Sequence, residues 1–365
     1  MSAVADIEEM KRRRSGLHPV LVGWHWPSEP WGDESAGAFD LPAGPDDLIT
    51  RLIDDYAKRL GDAPGIREEL ETVIRAHATV DDPQTLPPDV ESAYLRLDEK
   101  LGMGHGWESA APGADRPEFD PEDVFQAARQ AEDEASYGAI GIGDLLAPLR
   151  VLSFWKMKDR ARKFGESGGS RMLSAIRKAA AGKDSQINLM GHSFGCIVVS
   201  AAASGPVGPQ DIVTVNSIVL VQGALSLWAY CPNIPSAKGT AGYFNRLLKR
   251  VEGPIVTTQS EFDGAVGTFY PVAAGLKHQV AFGELPRFGA IGTFGIQGVG
   301  AAGRKMGDIS EDYGFQRGKI YNLESSQYIR NGLPPSGAHS DIVHPQIAHV
   351  IWEAAKGAVT SAHAT

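Results

Sequence analysis

Nine residues in the middle of the chain, INLMGHSFG over 187–195, ask for a strand, a reversal of the backbone and a helix with almost no chain between them. The apolar residues ending at Met190 read as a buried strand over 185–190. FGCIVVSAAAS reads as an apolar helix over 194–204. A sharp turn at Ser193 is all that joins the two. Gly191 and Gly195 lack Cβ atoms, so strand and helix can approach closely there. The Ser193 hydroxyl then projects beyond the end of the strand, with the N–H of Phe194 at the helix start, where backbone donors and the helix dipole favour an anion.

The neighbouring sequence repeats this grammar. Helices are expected over 144–164, 169–181 and 344–357, and strands over 217–224, 253–260 and 318–325. Helices alternating with nearly continuous apolar strands predict an α/β fold with a mostly parallel sheet covered on both faces. An earlier apolar run, HPVLVGWHW over 18–26, reads as one more short buried strand closed by Pro27 and Ser28. Two stretches break the pattern. From 31 to about 150 the periodicity is helical, over 46–60, 66–78, 90–102 and 121–135, with Pro, Gly and Asp clusters between. Residues 264–317 read as a long glycine-rich loop carrying Phe282, Phe288, Ile291, Phe294 and Ile296.

Composition removes several classes. Two cysteines, Cys196 and Cys231, exclude a disulfide scaffold and a multi-cysteine metal site. Cys196, inside the apolar helix, reads as a small buried hydrophobe. No apolar run reaches the roughly 18 residues of a membrane-crossing helix. The basic start of the chain has no apolar run behind it, so it does not read as a secretory signal, and the cytoplasm is the expected compartment. The net charge of −10 is unevenly spread: 31–150 holds 27 acidic and 10 basic residues, net −17, and the rest is net +7. No basic run is interleaved with aromatics, so nucleic acid is not an expected partner.

A nucleophilic serine needs a base, and the base an orienting acid. Acid candidates at the exit of GPIVTTQS are Glu261 and Asp263. Base candidates near the end of the chain are His339, His344 and His349. His344 and His349 fall at the edge of the last helix or inside it, where capping or packing is the plainer role. His339 and His344 have no third ligand at useful spacing, so no metal is expected, and serine chemistry needs no cofactor. His192 flanks the serine without an acid partner in view and reads as packing around the turn.

GHSFG, SEFDG and GAHSDI, in this order, resemble the α/β-hydrolase superfamily over roughly 18–30 and 144–357. WHWPSEPWGDES and FWKMKDRARKFGESGG are further similar to large uncharacterised bacterial and fungal members. The resemblance implies the α/β-hydrolase fold and a triad of Ser193, Asp263 and His339, with the Phe194 amide as oxyanion donor. It divides the chain into a core over 18–30 and 144–365, an acidic helical cap over 31–143, and a lid over 264–317 within the core. One departure stands out. Such hydrolases have an early strand ending in His-Gly that brings the second oxyanion donor, whereas His105-Gly106 here follows a helix. Either residues 18–25 serve as that strand, with His25 and Trp26 in its loop, or the first strands of the fold are missing. The implied activity is a serine esterase or lipase-like enzyme on a small neutral or cationic acyl substrate, with His192, Phe288 and Phe294 as pocket candidates; amide and thioester bonds are open to the same chemistry. The alternative is a hydrolase-fold binding protein with an incomplete oxyanion hole.

Overall fold

The computed structural model describes residues 18–26, 45–134, 145–205, 213–264, 285–332 and 337–358. The chain divides into two compact units. One comprises Met1–Pro27, Ala161–Gly267 and Gly289–Thr365; the other comprises Ser28–Arg160 and Thr268–Phe288.

The first unit is α/β. Its five strands are β1 (Asn188–His192), β2 (Ser217–Val221), β3 (Ile255–Gln259), β4 (Ala302–Lys305) and β5 (Ile320–Glu324), all parallel, in the spatial order β1-β2-β3-β5-β4. Parallel strands cannot be joined by hairpins, so helical or long connections must cross the faces. β2 is buried at all five positions, as a central parallel strand should be. On one face Val219, Val221, Val256, Tyr321 and Leu323 meet Ile347, Val350 and Ala354 of the last helix, Pro345–Gly357. The helix Phe194–Ser204 packs on β1, and a single helical turn, Ile291–Phe294, packs on β3.

The second unit is helical, with Pro45–Leu60, Ile66–Thr79, Pro88–Leu101, Pro121–Glu134 and the first part of Ala147–Phe164. The unit boundary falls inside that last helix, at Arg160–Ala161, so the core begins later than the expected residue 144. Amphipathic helices bury Tyr56, Leu70, Val73, Tyr94, Leu97 and Phe125, and Trp155 lies on Ala147–Phe164, a helix buried on nearly every side. The interior also holds charge. Lys158, with no exposed surface, donates to Asp115 at 2.6 Å and lies 4.4 Å from the centre of the Trp155 ring. Burial pulls its ammonium down to about 8, against the attraction of Asp115.

Two expectations need correction. Residues 18–26 form no strand: Val20, Leu21 and Val22 are largely exposed, and the segment is held by aromatic contacts, with Trp24 against Gly169 and Trp26 stacked on Phe164. An apolar run becomes a strand only with a neighbour to take its backbone hydrogen bonds, and β1 has β2 as its one strand partner among the described residues. The stretch 264–317 is not one loop. It contains the turn Ile291–Phe294 and strand β4, and it is shared between the two units. Ile291 and Ile296 are buried, and Phe294 packs on the cluster of Leu227, Trp228, Cys231 and Ile234. β4 carries no sequence signal because its residues, Ala-Gly-Arg-Lys, are exposed and pair through backbone alone at a sheet edge. The expected segments 27–44, 135–144 and 265–284, with Phe282, lie outside the described residues.

Asp115→Ala is expected to destabilise the helical unit by about 3–5 kcal/mol, because it removes the carboxylate facing a buried ammonium. The double substitution Asp115→Leu with Lys158→Met should recover most of that loss. Urea unfolding followed by circular dichroism measures both; a cost below about 1 kcal/mol for Asp115→Ala would mean that Lys158 does not depend on this partner.

Candidate active site

All strands of the sheet point the same way, so their C-terminal ends form one edge, where α/β sheets gather their functional groups. In register, His192 lies opposite Val221 and Leu220 opposite Thr257. The residues that leave β1, β2 and β3 therefore emerge side by side. Ser193 leaves β1 with φ 55° and ψ −124°, a conformation that L residues seldom adopt. Its N–H donates to the Val221 carbonyl at 3.1 Å, and its own carbonyl accepts from Cys196 at 3.1 Å and Ala224 at 3.2 Å. Gly191 makes the turn sterically feasible: a Cβ there would stand 2.5 Å from the Gly195 carbonyl oxygen and 2.6 Å from the Cys196 nitrogen.

Asp263 follows β3 by four residues and is almost fully buried. It forms an isolated antiparallel bridge with Gly337, while the Ala338 N–H donates to the Phe262 carbonyl at 2.8 Å. Gly337 has φ 56°, and a Cβ there would meet the Phe262 oxygen at 2.5 Å, so the two loops close against each other only at a glycine. The short turn Ala338–Ser340 then carries His339 to the sheet edge.

These placements bring three sequence candidates together. The Ser193 hydroxyl donates to His339 Nε2 at 2.7 Å. His339 Nδ1–H donates to Asp263, with 2.9 Å to Oδ2 and 3.0 Å to Oδ1. Asp263 and His339 are buried, so this pair is shielded from bulk water. Phe194 and Gly195 occupy the first turn of the helix that starts beside Ser193, at the positive end of its dipole.

The rival candidates go elsewhere. Glu261 is exposed. His344 pairs with Asp341 at 2.8 Å, and His349 donates to the Glu311 carbonyl at 2.7 Å. Asp341 also accepts from the N–H groups of Arg330 and Asn331. Against the opposing effect of burial, these bonds and His344 hold its carboxyl below the usual range. The Cys196 thiol donates to the Gly191 carbonyl, and burial pushes its titration far up, which leaves it a poor nucleophile.

Of the pocket candidates, His192 lies at this centre. Its Nε2–H donates to the His339 carbonyl at 2.9 Å, and the two rings lie 4.9 Å apart. Burial, together with repulsion from His339, lowers its titration to about 4, so His192 is neutral at ordinary pH. Phe288 belongs to the helical unit, with the Arg287 guanidinium 5.3 Å from its ring centre. Phe294 lines a different cleft of about 520 Å³, beside Gln259, Asn322, Lys305 and Glu324. Trp26 stacks on Phe164.

Two polar residues at this centre escaped the sequence reading. Gln222 closes the apolar strand SIVLV, and its Nε2 donates to Asp263 Oδ2 at 2.8 Å; Thr258 Oγ donates to Gln222 Oε1 at 2.9 Å. The available signal was a polar side chain ending an otherwise apolar strand, directly before Gly223. Set against protein-family models, curated proteins and solved structures, the chain matches none of them.

Proposed function

We propose that this protein is a serine hydrolase of the α/β-hydrolase type that cleaves an ester or a related acyl bond. The supporting observation is the directed line of hydrogen bonds from Ser193 through His339 to Asp263, ending on a serine held in a strained turn at a helix start. In this reading Ser193 Oγ attacks the acyl carbon as its proton passes to His339 Nε2. Asp263 holds the imidazole with Nδ1–H facing the carboxylate and stabilises the imidazolium that forms. The negative charge on the tetrahedral oxygen develops beside the Phe194 amide at the positive end of the helix. His339 then returns the proton to the leaving group, and water releases the acyl group from Ser193 by the same steps in reverse order. The net charge of −10 disfavours anionic acyl compounds and suits neutral or cationic ones.

One observation favours a second reading, a binding protein on the same scaffold. Trp26, the candidate for bringing a second oxyanion donor, rests on Phe164, and residues 18–26 do not lie in a strand beside β1. A fluorophosphonate probe separates the two. The hydrolase reading expects stoichiometric labelling at Ser193 and turnover of short nitrophenyl esters; the binding-protein reading expects neither under native conditions. Among the described residues no helix is long and apolar enough to cross a membrane.

Ser193→Ala is expected to abolish labelling and turnover with an unchanged melting temperature, since the turn needs its glycines for shape and the serine for chemistry. His339→Ala should be nearly as damaging, because the residues of such a triad act as a unit. Retention of more than a few per cent of turnover by either variant would overturn the assignment.

His192 sets a stability prediction. Its folded value of about 4 lies below the ordinary 6.5, so between those values the unfolded chain binds more protons than the folded one. Stability is therefore full above about pH 6.5 and is lost progressively as pH falls toward 4. His192→Gln should flatten that part of the stability profile in urea unfolding; identical slopes in the two proteins would rule the contribution out.

A further inference from the structure

We infer that Gln222 is a positioning residue for Asp263: its carboxamide, aimed by Thr258, fixes the carboxylate in the orientation that meets His339 Nδ1. The inference rests on the hydrolase reading for its functional meaning, and on the hydrogen-bond geometry for its structural content.

A carboxylate accepts hydrogen bonds and donates none, so the amide atom 2.8 Å from Asp263 Oδ2 must be the NH2 group. That places Gln222 Oε1 toward Thr258. The Thr258 hydroxyl accepts from the Gln222 backbone N–H at 3.0 Å, which leaves its own hydrogen to donate to Oε1 at 2.9 Å. Every polar atom in this chain thus has a determined direction, from the Gln222 backbone to Thr258, back to the Gln222 side chain, and on to Asp263. Asp263 in turn faces the His339 ring, and His339 faces Ser193. Among the described residues, the titratable groups along and beside this line are Asp263, His339, His192 against the His339 carbonyl, and the Cys196 thiol against the Val221 carbonyl. The amide itself cannot ionise, so it holds its donor role at every pH.

A space-filling role does not account for these features. Gln222 has no exposed surface, and an amide buried without partners costs more than an apolar side chain of the same length. Its backbone has φ 45°, one of four non-glycine residues with positive φ in the described structure, and Ser193 is another. Both stand just beyond the ends of β1 and β2, where His192 lies opposite Val221. The strand end is bent so that a long amide turns back under the acid. Nε2 also lies 3.5 Å from the Gly292 carbonyl, which ties the same amide to the turn packed on β3.

The test uses the full chain with Gln222→Met, Gln222→Glu and Thr258→Val, and two independent readouts. The first is the downfield proton resonance of His339 Nδ1–H, followed by NMR without any substrate. The second is the pH profile of nitrophenyl ester hydrolysis. Gln222→Met should shift or broaden the resonance and lower kcat about ten- to a hundredfold with KM unchanged, the loss expected for one hydrogen bond to a charged group. Gln222→Glu should work while its carboxyl carries the proton and donates, so its profile should gain a descending alkaline limb that the wild type lacks. Thr258→Val should act in the same direction with a smaller loss, and should add little to Gln222→Met, because both interrupt one chain. If Gln222→Met fails to fold, the pH profile and resonance of Gln222→Glu still decide. An unchanged resonance in the Gln222 variants, or equal losses at every pH in Gln222→Met and Gln222→Glu, overturns the inference. A resonance that responds to Gln222 in a wild type lacking turnover and Ser193 labelling would uphold the positioning role and remove the hydrolase reading.

Discussion

Gly191 has no side chain, and β1 and the helix Phe194–Ser204 meet across the space this leaves: a Cβ would stand 2.5 Å from one helix backbone atom and 2.6 Å from the next. Much of the described sheet edge follows from that approach. The strand can pass into the helix within two residues, which forces Ser193 into a strained conformation and presents its hydroxyl beyond the strand end. The cost of the strain, about 1–3 kcal/mol for such a residue, is borne by bonds on both sides of the turn. Val221, Cys196 and Ala224 hold the Ser193 backbone, and the Cys196 thiol bonds to Gly191 itself. Because β2 and β3 run parallel to β1, Gln222 and Asp263 emerge at the same edge with no further device.

The imidazole arrives by a separate route. His339 comes from a loop far along the chain, and its position is set by backbone stitching. Phe262 and Ala338 bond directly, Asp263 bridges Gly337, and Asp341 gathers the N–H groups of Arg330 and Asn331 while pairing with His344. His192 closes the arrangement from below by donating to the His339 carbonyl. An imidazole fixed by main-chain bonds loses little conformational freedom when it accepts a proton, which suits the general-base role proposed for it. Neutral His192 beside it adds a donor without adding charge.

The helical unit solves a different problem. Among the described residues its acidic groups lie largely at the surface, yet a few charges lie inside. Lys158 meets Asp115 and the Trp155 ring, and Glu69 is held below the ordinary carboxylate range by Arg96 and Lys100 on the neighbouring helix. Pairs of this kind contribute little net stability relative to apolar replacements, but they make alternative helix registers costly because each would leave a charge buried without its partner.

Local pattern determined most of the elements. The apolar runs of β1, β2, β3 and β5, the periodicity of the helices and the G-x-S-x-G turn are properties of consecutive residues, so they are legible without tertiary contacts. The serine, acid and histidine were legible as residue types, and Ser193, Asp263 and His339 do lie within hydrogen-bond distance. The choice between Asp263 and Glu261, or His339 and His344, depends on which side chain is buried and which loop meets which, and that is a matter of the fold. Strand β4 was invisible because an exposed Ala-Gly-Arg-Lys edge pairs through its backbone, which every sequence carries alike. Residues 18–26 mislead in the opposite way: their apolar run suits a strand, but strand formation requires a neighbour that the run cannot supply. Gln222 and Thr258 show the same limit at the candidate site. Neither residue type signals a role, and only the register that sets β2 beside β3 brings the amide, the hydroxyl and the buried carboxylate within hydrogen-bond reach.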